Sequence, residues 1–228
     1  MRRMGVMAMA LAAAMAVGCN NSDNRAADNT GPAVGTAGRD SAVGIGDRDF
    51  IRDVATMNMA EIELSRTALQ RAADGNVKKF AQMMVDDHTA AGDKLKAFAS
   101  QHNVELPAQL DDKHRDIGEK LNAKQGLEYD KEYAEAMVQG HEDLVDKLES
   151  RIDKDTLSKW KTDYERKTGD AKERTEAEVK ATAVTAEKSD NPITQGLNQW
   201  AADTYPVAFA HLQAAKDMRD GVRKRSTN

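Results

Sequence analysis

The sequence predicts an all-α chain: an antiparallel four-helix bundle with a long crossover between the second and third helices and a charged helical insertion before the last. Three observations point there. Apolar residues recur at three-and-four spacing over four long stretches, which puts them on one face of a helix. No segment alternates β-branched and polar residues as a half-buried strand requires. The 4 prolines fall outside the strongest periodic stretches, leaving room for long helices.

The elements follow in order. Arg2 and Arg3 precede an apolar run from Met4 to Val17, closed by Ala16-Val17-Gly18-Cys19. That run is shorter than the roughly 20 residues needed to span a bilayer, so residues 1–18 read as a signal peptide. Cys19 is the only cysteine and sits at the expected cleavage point, so it is the candidate lipidation site, although Ala16 stands where such signals more often carry Leu. Lipidation there would anchor the chain to a membrane, and Asn20, in place of Asp, directs the expectation to the periplasmic face of the outer membrane. Residues 19–46 are rich in Gly, Ala, Asn and Asp and read as a flexible tether.

The bundle is expected over 47–222. Asp47 is the expected N-cap of a first helix ending at Asp74-Gly75, with Phe50, Val54, Met57, Leu64 and Ala68 on its seam. Asn76 is expected to cap the second, which carries Val77, Phe80, Met84, Ala91, Leu95 and Phe98 and stops near His102-Asn103. Residues 103–125 hold Pro107 and a short amphipathic piece (Leu110, Ile117, Leu121), enough chain to cross the length of the bundle. A third helix runs from about Leu127 to Ser150 with Tyr133, Met137, Leu144 and Leu148 inward. The last follows Asn191-Pro192 with Trp200, Val207, Ala214, Met218 and Val222, and residues 223–228 form a basic tail. Between them, residues 151–190 are half charged, with both signs equally represented. Apart from a patch at Leu157, Trp160 and Tyr164, this reads as a solvated helical extension or, alternatively, as an arm for an envelope protein partner.

The charge balance excludes a broad nucleic-acid footprint. The chain carries 33 basic and 38 acidic residues, net −5, and loses two more positive charges with Arg2 and Arg3. With Cys19 lipidated no disulfide can form, so stability must come from the core.

One polar residue interrupts each seam: Glu61, His88, His141 and His211. Counting from a turn centred on Gly75, Glu61 and His88 fall in one layer, and His141 and His211 lie near the middle of their helices. Buried carboxylates and imidazoles need partners. One transition metal (Zn, Fe or Mn) held by all four would satisfy them; a metal-free polar layer is the alternative. Asp87 and Tyr133 are candidates for a supporting role around those ligands, whereas Met84 and Met137 read as core filler, Glu63 as solvated and His114 as half-buried structure.

The segments Asp49-Phe50-Ile51, Met57 through Leu64, Val77 through Met83-Met84-Val85-Asp86-Asp87-His88-Thr89, Tyr129-Asp130 through His141, and Tyr205-Pro206 with His211-Leu212 resemble the ferritin-like domain of outer-membrane lipoproteins, a family catalogued as a domain of unknown function. The resemblance implies a ferritin-like bundle with the long crossover. It does not bring di-iron chemistry, because Val85, Val138 and Ala208 stand three residues before the histidines, where Glu-x-x-His pairs need Glu.

The functional expectation is a lipid-anchored periplasmic bundle that stores, buffers or senses one metal. The competing expectation is a metal-free structural or interaction module of the envelope, with a stress-related role as one form of it. An enzyme has the least support: no nucleophile–base pair is evident, and Gly44-Ile45-Gly46 has no strand before it to form a phosphate loop.

Overall fold

The computed structural model describes residues 43–168 and 183–225, with side chains of the helix ending at Thr168 described as far as Tyr164. The signal segment, Cys19, most of the tether, residues 169–182 of the charged stretch and the last three residues lie outside the described residues. Among those described, the elements are α1 (Ile45–Arg71), α2 (Gly75–Gln101), α3 (Asp112–Asn122), α4 (Gly126–Glu149), α5 (Lys154–Thr168) and α6 (Pro192–Arg225). Among the described residues all regular elements are helices, with one isolated antiparallel bridge between Ile152 and Ala186. No described helix is long and apolar enough to cross a membrane.

Cross-helix contacts fix the directions. Asp53 meets Lys147, Glu61 meets His141 and Ser65 meets Tyr133, so α4 runs antiparallel to α1. Glu149 meets Tyr205 and Glu142 meets Lys216, so α6 is antiparallel to α4. Asp87 meets His211 and Asp74 meets Arg225, so α6 is antiparallel to α2 as well. α2 and α4 therefore run the same way, which requires the long crossover, and α3 lies on it against α4 and α1.

Local chemistry sets the ends. Asp74 accepts from Asn76 N at 2.6 Å to cap α2, Asp111 accepts from His114 N to cap α3, and Asn191 accepts from Ile193 N and Thr194 N ahead of Pro192 on α6. α2 closes on Asn103 at φ 54°, with Val104 N donating to Ala99 O and Asn103 N to Ser100 O; buried Val104 packs back on the last turn. Gly126 opens α4 at φ 57°, where a side chain would be strained. Buried Asp130 accepts from Ala73 N and Asp74 N and pins the α1–α2 turn to α4.

Several boundaries differ from expectation. α1 starts two residues earlier than Asp47, and Gly44 is its N-cap. Asp47 instead lies buried in the first turn, paired with Arg151 and accepting from Thr194 Oγ1, while Arg151 stacks 4.5 Å over Phe50. An acidic residue near a helix start suits a cap or an ion pair equally well, and Arg151 takes it for the pair. The α2 cap is Asp74, two residues before Asn76. Pro206 lies inside α6, where it removes the amide that would bond the Ala202 carbonyl, yet the helix continues to Arg225. That run takes in Arg223 and Arg225 of the expected tail, which pair with Glu135 and Asp74. The α6 core stripe is Leu197, Ala201, Tyr205, Ala208, Leu212 and Ala215; Trp200 and Val207 are only half-buried. Its small residues admit α4 closely, which rotates the expected seam by about one position.

The charged stretch is not a solvated extension at its described ends. Ile152, Leu157, Trp160, Val184 and Ala186 are buried. Trp160 packs edge-on to Tyr205 and Phe209, with ring centroids at 5.3 and 5.0 Å. The patch expected at Leu157, Trp160 and Tyr164 is thus a fifth face of the core.

Candidate metal centre

Three helices bring His88 (α2), His141 (α4) and His211 (α6) to one point at mid-bundle, with α1 closing the side. All three are buried, at 4%, 0% and 1% exposure, and each offers a ring nitrogen within 4.8 Å of the others. The rings interlock: His88 lies nearly parallel to His211, with centroids 5.5 Å apart, and His141 stands edge-on to both.

Each ring has one nitrogen held by an oxygen. His141 Nδ1–H donates to the Met137 carbonyl at 2.8 Å. His88 Nδ1–H donates to Asn58 Oδ1 at 3.1 Å. His211 Nε2–H donates to Asp87 Oδ2 at 2.9 Å. In the neutral rings these bonds fix the tautomers, so the lone pairs sit on His141 Nε2, His88 Nε2 and His211 Nδ1. Carbonyl or carboxylate behind each imidazole is the arrangement that orients metal-bound histidines.

The spacing of two of these nitrogens would suit a cation. His88 Nε2 and His141 Nε2 face each other at 3.4 Å. In those neutral tautomers both bear lone pairs and no proton joins them, whereas a proton on His88 would make the contact a hydrogen bond. Zinc–nitrogen bonds of about 2.0–2.1 Å in a tetrahedron put two ligand nitrogens about 3.3–3.4 Å apart. The separation of this one pair matches that edge, and the whole set lies within 4.8 Å.

Electrostatics agree. Burial, followed by the influence of His211, pushes His141 down to about 3, against a raising contribution from the Met137 carbonyl, so His141 is neutral and able to ligate at neutral pH. Burial pushes Glu61 up from an ordinary 4.5 to about 8, so without a cation the carboxyl is protonated, and its 3.5 Å approach to His141 is not an ion pair.

Glu61 therefore does not stand where the sequence suggested. It is not among the clustered ligands; its Oε1 faces His141 Nδ1, behind the ring, and its Oε2 is buried with no hydrogen-bond partner. The reason is register. The α1–α2 turn occupies 72–74, not Gly75, so the α1 residue level with His88 is Asn58, one turn before Glu61. Tyr133 also supports none of the histidines: its hydroxyl bonds Ser65 at 2.8 Å. Asp87 does bond His211. His114 sits on the α3 cap with Asp111, Glu63 is exposed, and Met84 and Met137 are core.

The sequence reading missed Asn58 and two glycines. A Cβ on Gly92 would come 2.5 Å from Asn58 Nδ2, and one on Gly140 would collide with Glu61 Oε1. Each glycine leaves the notch in which a supporting side chain sits. Their signal was faint: Gly140 directly precedes His141, and Gly92 lies four residues beyond His88.

No curated protein matches the chain. No solved structure matches it either. Residues 32–158 match the model of a domain of unknown function, DUF4142, a span that includes Asn58, Glu61, His88 and His141 but stops short of His211. That match covers more than half of the sequence, and the chain belongs to the DUF4142 family.

Proposed function

We propose that this protein is a lipid-anchored helical bundle of the cell envelope that binds one first-row transition metal through His88, His141 and His211, for storage, buffering or sensing. The convergence of three buried imidazoles, two of them with ring nitrogens 3.4 Å apart, carries the reading, because in the neutral tautomers set by their other hydrogen bonds a cation fits between those nitrogens. A donor set of nitrogens suits Zn or Fe better than Mn, which prefers oxygen ligands. A dication held by three neutral rings also needs compensating charge nearby. Asp87 behind His211 and Glu61 behind His141 supply two carboxylates, the latter by losing its proton when the metal arrives.

The anchor is part of the same proposal. Cys19 would carry the lipid, residues 20–42 would span from the outer membrane, and the bundle would face the periplasm. The long crossover between α2 and α4 supports kinship with ferritin-like bundles, while the ligand set argues against their di-iron chemistry.

The competing reading, a metal-free interaction module using 151–190 as its arm, loses ground because both described ends of that stretch pack into the core. The test is metal content. The full chain, purified without tag histidines, should retain or take up close to one Zn or Fe per molecule by elemental mass spectrometry. His141→Ala should abolish this while leaving the helical signal intact. Protein that neither retains nor takes up either metal would retire the reading.

A further inference from the structure

We infer that the metal centre keeps an open coordination position facing a small apolar cavity, and that a ligand of two or three heavy atoms, of the dioxygen or azide class, binds there. The inference rests on the metal reading above and goes beyond storage. Three protein nitrogens leave the fourth corner of a tetrahedral site empty, which is how reactive zinc and iron centres differ from closed structural ones. That corner has somewhere to lead. A cavity of about 30 Å³ adjoins the centre, lined by Val54, Leu95, Trp200 and Val207 beside His88 and His211.

Size and chemistry narrow the occupant. One water needs about 10–15 Å³, so the space holds roughly two such groups, not a sugar, a nucleotide or a peptide. The wall is apolar along most of its surface, which disfavours a hydrated ion. Asn58, Asp87 and Thr204 also reach the wall, and Asn58 and Asp87 hold His88 and His211; Trp200 Nε1 is buried and donates to no protein acceptor, although an indole N–H in that position ordinarily finds one. A small linear ligand with one end on the metal could accept from that N–H with the other. Glu61 plays no part in this pocket, because it lies behind His141 in a separate cavity between α1, α3 and α4.

The experiment uses the full chain loaded with Co(II), whose visible absorption reports coordination number and ligand exchange, titrated with sodium azide. The expected result is Co(II) uptake near one per chain, followed by a saturable azide-dependent shift in the visible bands. Val207→Phe fills the cavity from a half-buried position, and Trp200→Phe keeps the ring but removes the N–H. Both should leave Co(II) uptake intact. The first should weaken azide by about tenfold or more through overpacking, the second by about two- to tenfold through the lost hydrogen bond. Co(II) uptake with no azide response, or with the same azide affinity in both variants, overturns this inference and leaves the metal centre standing. Absence of Co(II) uptake in the unaltered protein overturns the centre and this inference with it.

Discussion

Gly140→Ala separates the role of Glu61 from the stability of the bundle. The new methyl would collide with Glu61 Oε1 and come within 3.4 Å of its Cδ, so the carboxyl must leave its seat behind His141. It has somewhere to go. The adjacent cavity of about 210 Å³ has a mostly apolar wall, but Lys113, Lys120, Gln139 and Asp143 also line it, and it is large enough for a hydrated carboxyl. Two effects then compete in the metal-free protein. Replacing a helix-interior glycine by alanine gains about 0.5–1 kcal/mol. Moving Glu61 forfeits only a 3.5 Å contact, too long for a full hydrogen bond, and returns to water a carboxyl whose Oε2 has no partner in the core. The net should lie within about 1 kcal/mol of zero, a shift of no more than about 2–4 °C in Tm for a domain of this size. Metal affinity is a different matter. Without a carboxylate behind it, His141 loses charge compensation, and such outer partners are commonly worth about 10–100-fold in affinity. The assay is competitive zinc titration against a chromogenic chelator, with thermal melts of the metal-free protein in parallel. Unchanged zinc affinity would refute the support role of Glu61. A stability loss above about 3 kcal/mol would show that the carboxyl cannot swing into the cavity.

Other expectations follow from the same geometry. In the metal-free protein Glu61 keeps its proton up to about pH 8 in the fold, whereas the unfolded chain releases it near 4.5, so the folded state binds the extra proton and stability falls as pH rises across that window. His141 acts oppositely: the unfolded chain takes up a proton near 6.5 and the fold only near 3, so stability falls as pH drops through that range. Urea denaturation should therefore show a plateau near pH 4.5–6.5 with a decline on either side. Glu61→Gln should remove the alkaline decline, worth on the order of a few kcal/mol, and an unchanged decline would contradict the burial of that carboxyl. Asp47→Ala leaves Arg151 without its buried partner and should cost about 3–5 kcal/mol by urea denaturation; a loss below about 1 kcal/mol would mean that the pair is solvated. Trp160→Ala should cost about 3–5 kcal/mol if α5 belongs to the core, against less than about 0.5 kcal/mol for a solvated arm.

Much of the fold was legible because each long helix writes its own periodicity. Tyr133, Met137, Leu144 and Leu148 all lie buried where their spacing puts them, and the crossover ends expected near Asn103 and Leu127 fall at or beside the positive-φ residues Asn103 and Gly126. Periodicity fixes a face to within about one residue, and α6 shows the limit. Its apolar residues wrap most of the helix, so packing against α4 through Ala201, Ala208 and Ala215 decides which stripe turns inward. Layer assignments depend on where a turn is centred, and a shift from Gly75 to residues 72–74 exchanged Glu61 for Asn58 opposite His88. The histidine cluster survived that shift because its three members come from three different helices near mid-length. Asn58 was harder to see, since a neutral amide beside a seam looks like any half-exposed polar residue. The burial of Leu157 and Trp160 was hidden by the charges around them, which say nothing about what the apolar side of a helix meets.

X-ray absorption at the zinc edge of the zinc-loaded chain tests the three-histidine centre most directly. The expected spectrum shows three imidazole nitrogens at about 2.0–2.1 Å, with the characteristic outer-shell scattering of the rings and one further light atom. Loss of one imidazole shell in His211→Ala would place the ligand from α6 in the site. A spectrum dominated by carboxylate and water oxygens, indifferent to all three histidines, would contradict the account.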